Sequence, residues 1–178
     1  MFISQLVLAV GILISGYAFP AAAASESRVR GSHPSLVHLL VEGERRSATF
    51  RDVLGRLEAS DVIVYVEAGG VGHGMDGGLQ FVTATSLTRY LRVTMRLDLP
   101  AAALVALLGH ELRHALEVAE NAAVRDQDSF RQFYERWGTA THRGDVVTYD
   151  TEAAVTTGLR VALELQASVK TAVATTSR

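Results

Sequence analysis

Two histidines four residues apart, with a glutamate directly after the first, form His110-Glu111-Leu112-Arg113-His114 within the stretch Leu107–Glu120. In a helix, residues at i and i+4 share a face, so both imidazoles can reach one ion. Glu111 then sits about 100° around the helix from His110, able to touch a water on that ion without occupying a ligand position. Such an arrangement suits hydrolysis: a divalent ion acidifies a water and polarises a carbonyl, and a carboxylate takes and returns the proton. The surrounding residues support it. With His110 at 0° and about 100° per residue, Leu104, Val105, Leu108, Leu112, Ala115, Leu116 and Ala119 fall between about 120° and 240°. The histidines fall on the opposite side, so the apolar stripe packs inward and leaves the histidine face for another task. A single histidine in an apolar helix is ordinarily a packed side chain. Two that bracket a glutamate and turn away from the stripe read as metal ligands.

Catalytic zinc takes three protein ligands and keeps an open position, so a third ligand must come from elsewhere. Glu117 lies on the histidine face but about 10 Å along the axis from His110, which makes it a partner behind the ligands or a solvated side chain. Glu120 points roughly 80° away. Better candidates are Asp150 and Glu152 in Tyr149-Asp150-Thr151-Glu152-Ala153-Ala154, where a final helix begins. Either acid also suits plain capping, since Asp is a favoured N-cap and Glu in a first turn complements the helix dipole. His142 and Asp145 are further candidates.

With these residues the chain resembles the zincin metallopeptidases, and among them the gluzincins, in which H-E-x-x-H on one helix is completed by an acid on a later helix. It is also similar in part to the Ste24/HtpX-type membrane peptidases, whose second motif is Glu-x-x-Ala-Asp. Matching the motif's Ala to Ala153 places Asp150 at the ligand position, whereas matching it to Val155 selects Glu152. Ala154 stands where the first match requires Asp, and the thermolysin-type Asn-Glu-x-x-x-Asp motif is absent. The resemblance covers the two helical motifs and a compatible order of elements. It implies a bound Zn2+ and a peptide or protein substrate.

The elements that would carry this site come from one domain. Residues 1–24 read as a secretory signal peptide: no charged side chain precedes Glu26, Phe2 to Phe19 is largely apolar, and Ala22-Ala23-Ala24 offers an A-x-A cleavage site. The competing reading is an uncleaved N-terminal anchor, because the apolar span approaches the roughly 20 residues a membrane requires. Either way the expected location is extracytoplasmic, periplasmic or secreted. The 17 basic and 19 acidic residues leave a net charge of −2, which gives no basic surplus for nucleic acid. The absence of cysteine excludes disulfides, thiolate ligands and a cysteine nucleophile. Residues 25–46 read as a leader or linker, 47–170 as the metallopeptidase domain and 171–178 as a flexible tail.

Within the domain, Ser47 caps a helix over Ala48–Ala59 with Phe50, Val53, Leu54 and Leu57 on one stripe. Leu36–Val41 is a short apolar run, strand or helical turn, in which His38 is packed or at the surface. Three strands follow, over Asp61–Glu67, Leu79–Thr85 and Tyr90–Arg96. The glycine-rich Gly69–Gly78 between the first two reads as a hairpin or flap loop. Its G-x-G-x-x-G match precedes a strand, so no helix N-terminus awaits a pyrophosphate, and His73 reads as a solvated loop residue. Asp98 and Pro100 open the metal-binding helix. A helix over Asp128–Trp137 carries an aromatic stripe of Phe130, Phe133, Tyr134 and Trp137, Thr139–Thr148 is a polar connection, and a last helix covers Asp150–Val169. The expected class is α+β: a helix, a three-stranded mainly antiparallel sheet, the H-E-x-x-H helix and two further helices in a small zincin-like domain.

The function expected is a secreted or periplasmic zinc-dependent peptidase with Glu111 as general base. Its substrate would pair as an extended strand with Leu79–Thr85, and Tyr149 or His142 would steady the oxyanion. The alternative is a non-proteolytic metal- or peptide-binding envelope module on the same fold.

Overall fold

A computed structural model describes residues 27–72, 74–143 and 146–176, with side chains described as far as Ser168 except at Arg143. The signal-peptide or anchor segment, His73 and Asp145 lie outside these residues. Eleven elements follow in order: β1 (Val29–Gly31), α1 (Pro34–Arg46), α2 (Ala48–Glu58), β2 (Val62–Ala68), β3 (Gly77–Ala84), β4 (Arg89–Met95), α3 (Ala101–Glu120), α4 (Gln127–Trp137), β5 (Thr139–Arg143), β6 (Val146–Asp150) and α5 (Glu152–Thr176).

The class is α+β, with helices on one face of a small sheet. The sheet is mixed and four-stranded, in the order β1-β2-β4-β3, rather than three-stranded and mainly antiparallel. β1 and β4 both run parallel to β2, and only β3 runs antiparallel, against β4. The glycine-rich connection explains the order. It is long enough to carry the chain past the position beside β2, so β4 takes that place with every second residue buried and β3 is left at the edge.

The expected leader is part of the domain. Val29 in β1 and Leu36 and Leu39 in α1 join the core, and Pro34 and the His33 side chain, which accepts from the Ser35 N–H, start the helix. In α2 the expected cap is present, since the Ser47 hydroxyl accepts from the Phe50 N–H at 3.0 Å. Asp98 does not cap α3. Its carboxylate is held by the Arg96 guanidinium, and the helix opens at Pro100 without a side-chain cap. Thr139–Asp150 is a hairpin rather than a polar connection, so Asp150 ends a strand and α5 starts after it. The backbone of α5 continues to Thr176 where a frayed tail was expected, because no glycine or proline interrupts 171–176. Among the described residues no helix is long and apolar enough to cross a membrane.

Helix α3 sits at the centre, packed on α1, α2, α5 and the sheet. Leu104, Val105, Leu108, Leu112, Ala115 and Leu116 form its buried stripe, as the periodicity predicts. Its C-terminus is anchored by Arg89, 2% exposed, whose guanidinium donates to the carbonyls of Val118, Ala119, Asn121 and Val124 and pairs with Asp61. α5 crosses α3 at close range through glycine. A Cβ at Gly158 would lie 3.2 Å from His110 Cβ, and one at Gly109 would lie 3.0 Å from Val161.

Candidate metal centre

The pentad lies on one continuous turn of α3, and its two imidazoles converge with the carboxylate that ends β6. His110, His114 and Asp150 each offer one ligand atom, and these atoms lie within 4.8 Å of one another, so the group could hold a metal ion. Asp150 Oδ1 is 3.4 Å from Nε2 of both His110 and His114. That separation is long for a hydrogen bond, and Oδ1 is buried without a hydrogen-bond partner. It matches the edge of a tetrahedron, about 3.4 Å, whose centre stands about 2.1 Å from each corner, the usual zinc–nitrogen and zinc–oxygen distance. The fit to an ion rests on this buried oxygen aimed at two imidazole nitrogens.

The rear of the His114 ring is held. His114 Nδ1 meets Glu117 Oε2 at 3.0 Å, which directs Nε2 at the cluster. Glu117 is buried and accepts from Thr151 Oγ1 at 2.6 Å, while the Tyr134 hydroxyl donates to the His114 carbonyl at 3.0 Å. The Tyr134 ring stands edge-on to the His114 ring. The Nδ1 side of the His110 ring lies against α5, where a Cβ at Gly158 would come 3.7 Å from that nitrogen.

Burial lowers the His110 pKa, and repulsion from His114 adds to the effect. Burial also acts against a proton on His114, but the carboxylates of Asp150, Glu117 and Glu111 outweigh it and raise the pKa to about 9. For Asp150 and Glu117, burial opposes ionisation. His114 and His110 hold Asp150 below the usual carboxylate range, and His114, Thr151 and Arg113 do the same for Glu117. Glu111 is 5% exposed, and burial pushes its pKa to about 7, with Asp150 reinforcing and His114 opposing. Its carboxylate fits under the first residue of β3: a Cβ at Gly77 would come within 2.9 Å of Glu111 Oε1.

The cluster opens into a cleft of about 940 Å3, flanked by β3 residues Gly77–Gln80 and by β6, with Phe130 and Tyr134 of α4 along its wall. Of the two acids read from sequence, Asp150 joins the histidines. Glu152 is exposed and borders a separate depression with Arg113, Trp137 and Arg160. His142 is exposed on β5, while Tyr149 is half-buried and lines the cleft. Glu117 stands behind His114 as its spacing allowed. Sequence reasoning did not single out Thr151 or Gly158, read Gly77 only as the last glycine of the G-x-G-x-x-G match, and treated Tyr134 only as core. A hydroxyl between two candidate acids was the one available signal, since the glycine contacts are all long-range.

The chain matches no family model, and comparisons with curated proteins and with solved structures return no match.

Proposed function

We propose that this protein is an extracytoplasmic zinc-dependent peptidase whose ion is held by His110, His114 and Asp150. The observation that carries the proposal is the buried, unpartnered Asp150 Oδ1 at 3.4 Å from both imidazole nitrogens, with Glu111 one residue from a ligand. Zinc there would supply Lewis acidity, lowering the pKa of a water and polarising a peptide carbonyl.

The chain's own groups do the rest. Glu111, with a pKa near neutrality, can take a proton from the attacking water and return it to the leaving amine. Glu117 holds the imidazole of His114 in the orientation that presents Nε2. β3 is one edge of the sheet and lines the cleft, so the main-chain groups that have no partner strand among the described residues can align an extended peptide. Tyr149 lines the cleft, and its hydroxyl is the donor we assign to a developing oxyanion.

The test is elemental analysis of the full chain followed by a chelator-sensitive peptide-cleavage screen, with Glu111→Gln in parallel. We expect about one zinc per chain in both proteins and cleavage only in the parent. Cleavage by the variant at anything near the parent rate removes Glu111 from the role. Zinc without hydrolysis of any peptide supports the alternative, a non-proteolytic binding module.

A further inference from the structure

The cleft has two strand edges, and only one of them belongs to the main sheet. β3 is the last strand in the order β1-β2-β4-β3, and its outer edge has no partner strand among the described residues. Its register against β4 shifts between Phe81 and Thr83. Such a bulge ends regular pairing, so the straight part of the edge is Gly77–Phe81. Gly77–Gln80 are the residues that line the cleft.

β6 is the second edge. Among the described residues it pairs with β5 alone, and all five of its residues, Val146–Asp150, line the same cleft, against one described residue from β5. Arg143 pairs with Val146 across two intervening residues. In a hairpin of that length the closing pair exchanges both main-chain hydrogen bonds, and every second pair after it does so. The N–H and C=O groups of Val147 and Tyr149 therefore turn away from β5. Val147 is 41% exposed. Both edges also meet the metal cluster, since β3 begins at Gly77 against Glu111 and β6 ends at Asp150.

We infer that the site takes its substrate as an extended, unfolded polypeptide strand hydrogen-bonded on both sides, to β3 along Gly77–Phe81 and to β6 through Val147 and Tyr149. The inference rests on the peptidase reading and narrows its substrate class. A strand gripped on both sides must present every main-chain N–H and C=O over about four residues. Folded loops, which keep one side of their backbone engaged, are excluded, and side-chain identity matters less than a free backbone.

Alternate N-methylation separates one edge from two. A strand presents successive N–H groups to opposite sides, so methylating every second nitrogen blocks one side and leaves the other intact. The probe is a fluorescein-labelled decapeptide of alternating valine and threonine, compared with the same peptide methylated at every second nitrogen. Each is titrated by fluorescence anisotropy against the full chain carrying Glu111→Gln and loaded with zinc. We expect the methylated peptide to bind at least about tenfold more weakly, since two or three main-chain hydrogen bonds are lost in any register. Equal affinity for the two peptides overturns the second edge while leaving the peptidase reading with β3 alone. No binding of the unmethylated peptide overturns both. Val147→Pro gives the protein-side counterpart. It removes an outward N–H from β6 without touching the ladder to β5, and should weaken the unmethylated peptide while leaving zinc affinity unchanged. Because the peptide comparison uses the native hairpin, it stands whether or not that variant folds.

Discussion

Replacing Glu117 by glutamine probes the support behind the ligands without touching a ligand. The carboxylate accepts from Thr151 at 2.6 Å, meets His114 Nδ1 at 3.0 Å and lies 3.4 Å from the Tyr134 hydroxyl. An amide keeps one oxygen for Thr151 but turns an NH2 group toward His114 Nδ1, so two donors face each other. The ring either leaves a buried donor unsatisfied, at about 1–3 kcal/mol, or moves its proton to Nε2, where the lone pair is needed. Both routes correspond to a loss in zinc affinity of roughly ten- to a hundredfold, the range seen for such supporting groups. Proton competition gives the loss a pH signature. With a pKa raised to about 9, His114 is protonated at neutral pH in the metal-free chain, and the ion must displace that proton. Parent affinity should therefore rise about tenfold per pH unit from neutrality up to about pH 9. Glutamine removes one of the carboxylates that hold the proton, so the variant's rise ends sooner and its deficit widens with pH. Zinc titrations against a competing chelator at about pH 6.5 and about pH 8.5, with circular dichroism as a fold control, measure both effects. Equal affinities at the higher pH, or parallel slopes, would refute the reasoning.

Three further outcomes are expected. Asp150→Asn should lower zinc affinity by more than about tenfold, whereas Glu152→Gln, exposed and outside the cluster, should cost at most about 0.3–1 kcal/mol of helix-dipole stabilisation. A reversed order in zinc titrations would move the third ligand to Glu152. Gly77→Ala places a Cβ 2.9 Å from Glu111 Oε1 and should leave zinc content intact while cutting the cleavage rate by roughly a hundredfold. A parent-like rate would show that the carboxylate has room to spare. Asp61→Asn leaves the Arg89 charge with carbonyl partners only. Because Asp61 is 36% exposed, the cost should fall below the full buried-pair value, at about 1–3 kcal/mol in denaturant unfolding. Arg89 holds the Asp61 pKa below its ordinary value, so this stabilisation is present above that ordinary value and is lost as pH falls through the lowered one. The gap between parent and variant should therefore close in acid, and a gap unchanged at about pH 2 would contradict the assignment.

What could be read ahead of the structure follows the range over which each feature is determined. α2, β2, β4 and α3 were legible because their apolar residues repeat at 3.6 or 2 over many positions, and each repeat names its own buried face. β1 has Val29 as its only large apolar residue and exists by pairing with β2, a partner more than thirty residues away. The β5–β6 hairpin is similar. Its threonines and valines alternate too weakly to announce strands, and its place in the fold is set by α4 and the cleft. That gap left the third ligand open. From sequence, Asp150 and Glu152 read as neighbours at the start of one helix, as ligand or as cap, but a strand ends and a helix begins between them, so their directions are unrelated.

Glu117 illustrates the opposite case, in which a local spacing carries a contact the whole way. Seven residues from His110, it is too far along the helix to share that residue's ion. The same position is three residues after His114, where side chains on one helix face meet. From there its carboxylate reaches Nδ1, the nitrogen on the far side of the ring from the cluster, at 3.0 Å. A residue excluded as a ligand by one interval is thus placed by the next as the group that orients one. What the interval could not supply is burial. Thr151 and Tyr134, brought from β6–α5 and α4, enclose the carboxylate, and enclosure turns an ordinary i, i+3 pair into a fixed support for His114.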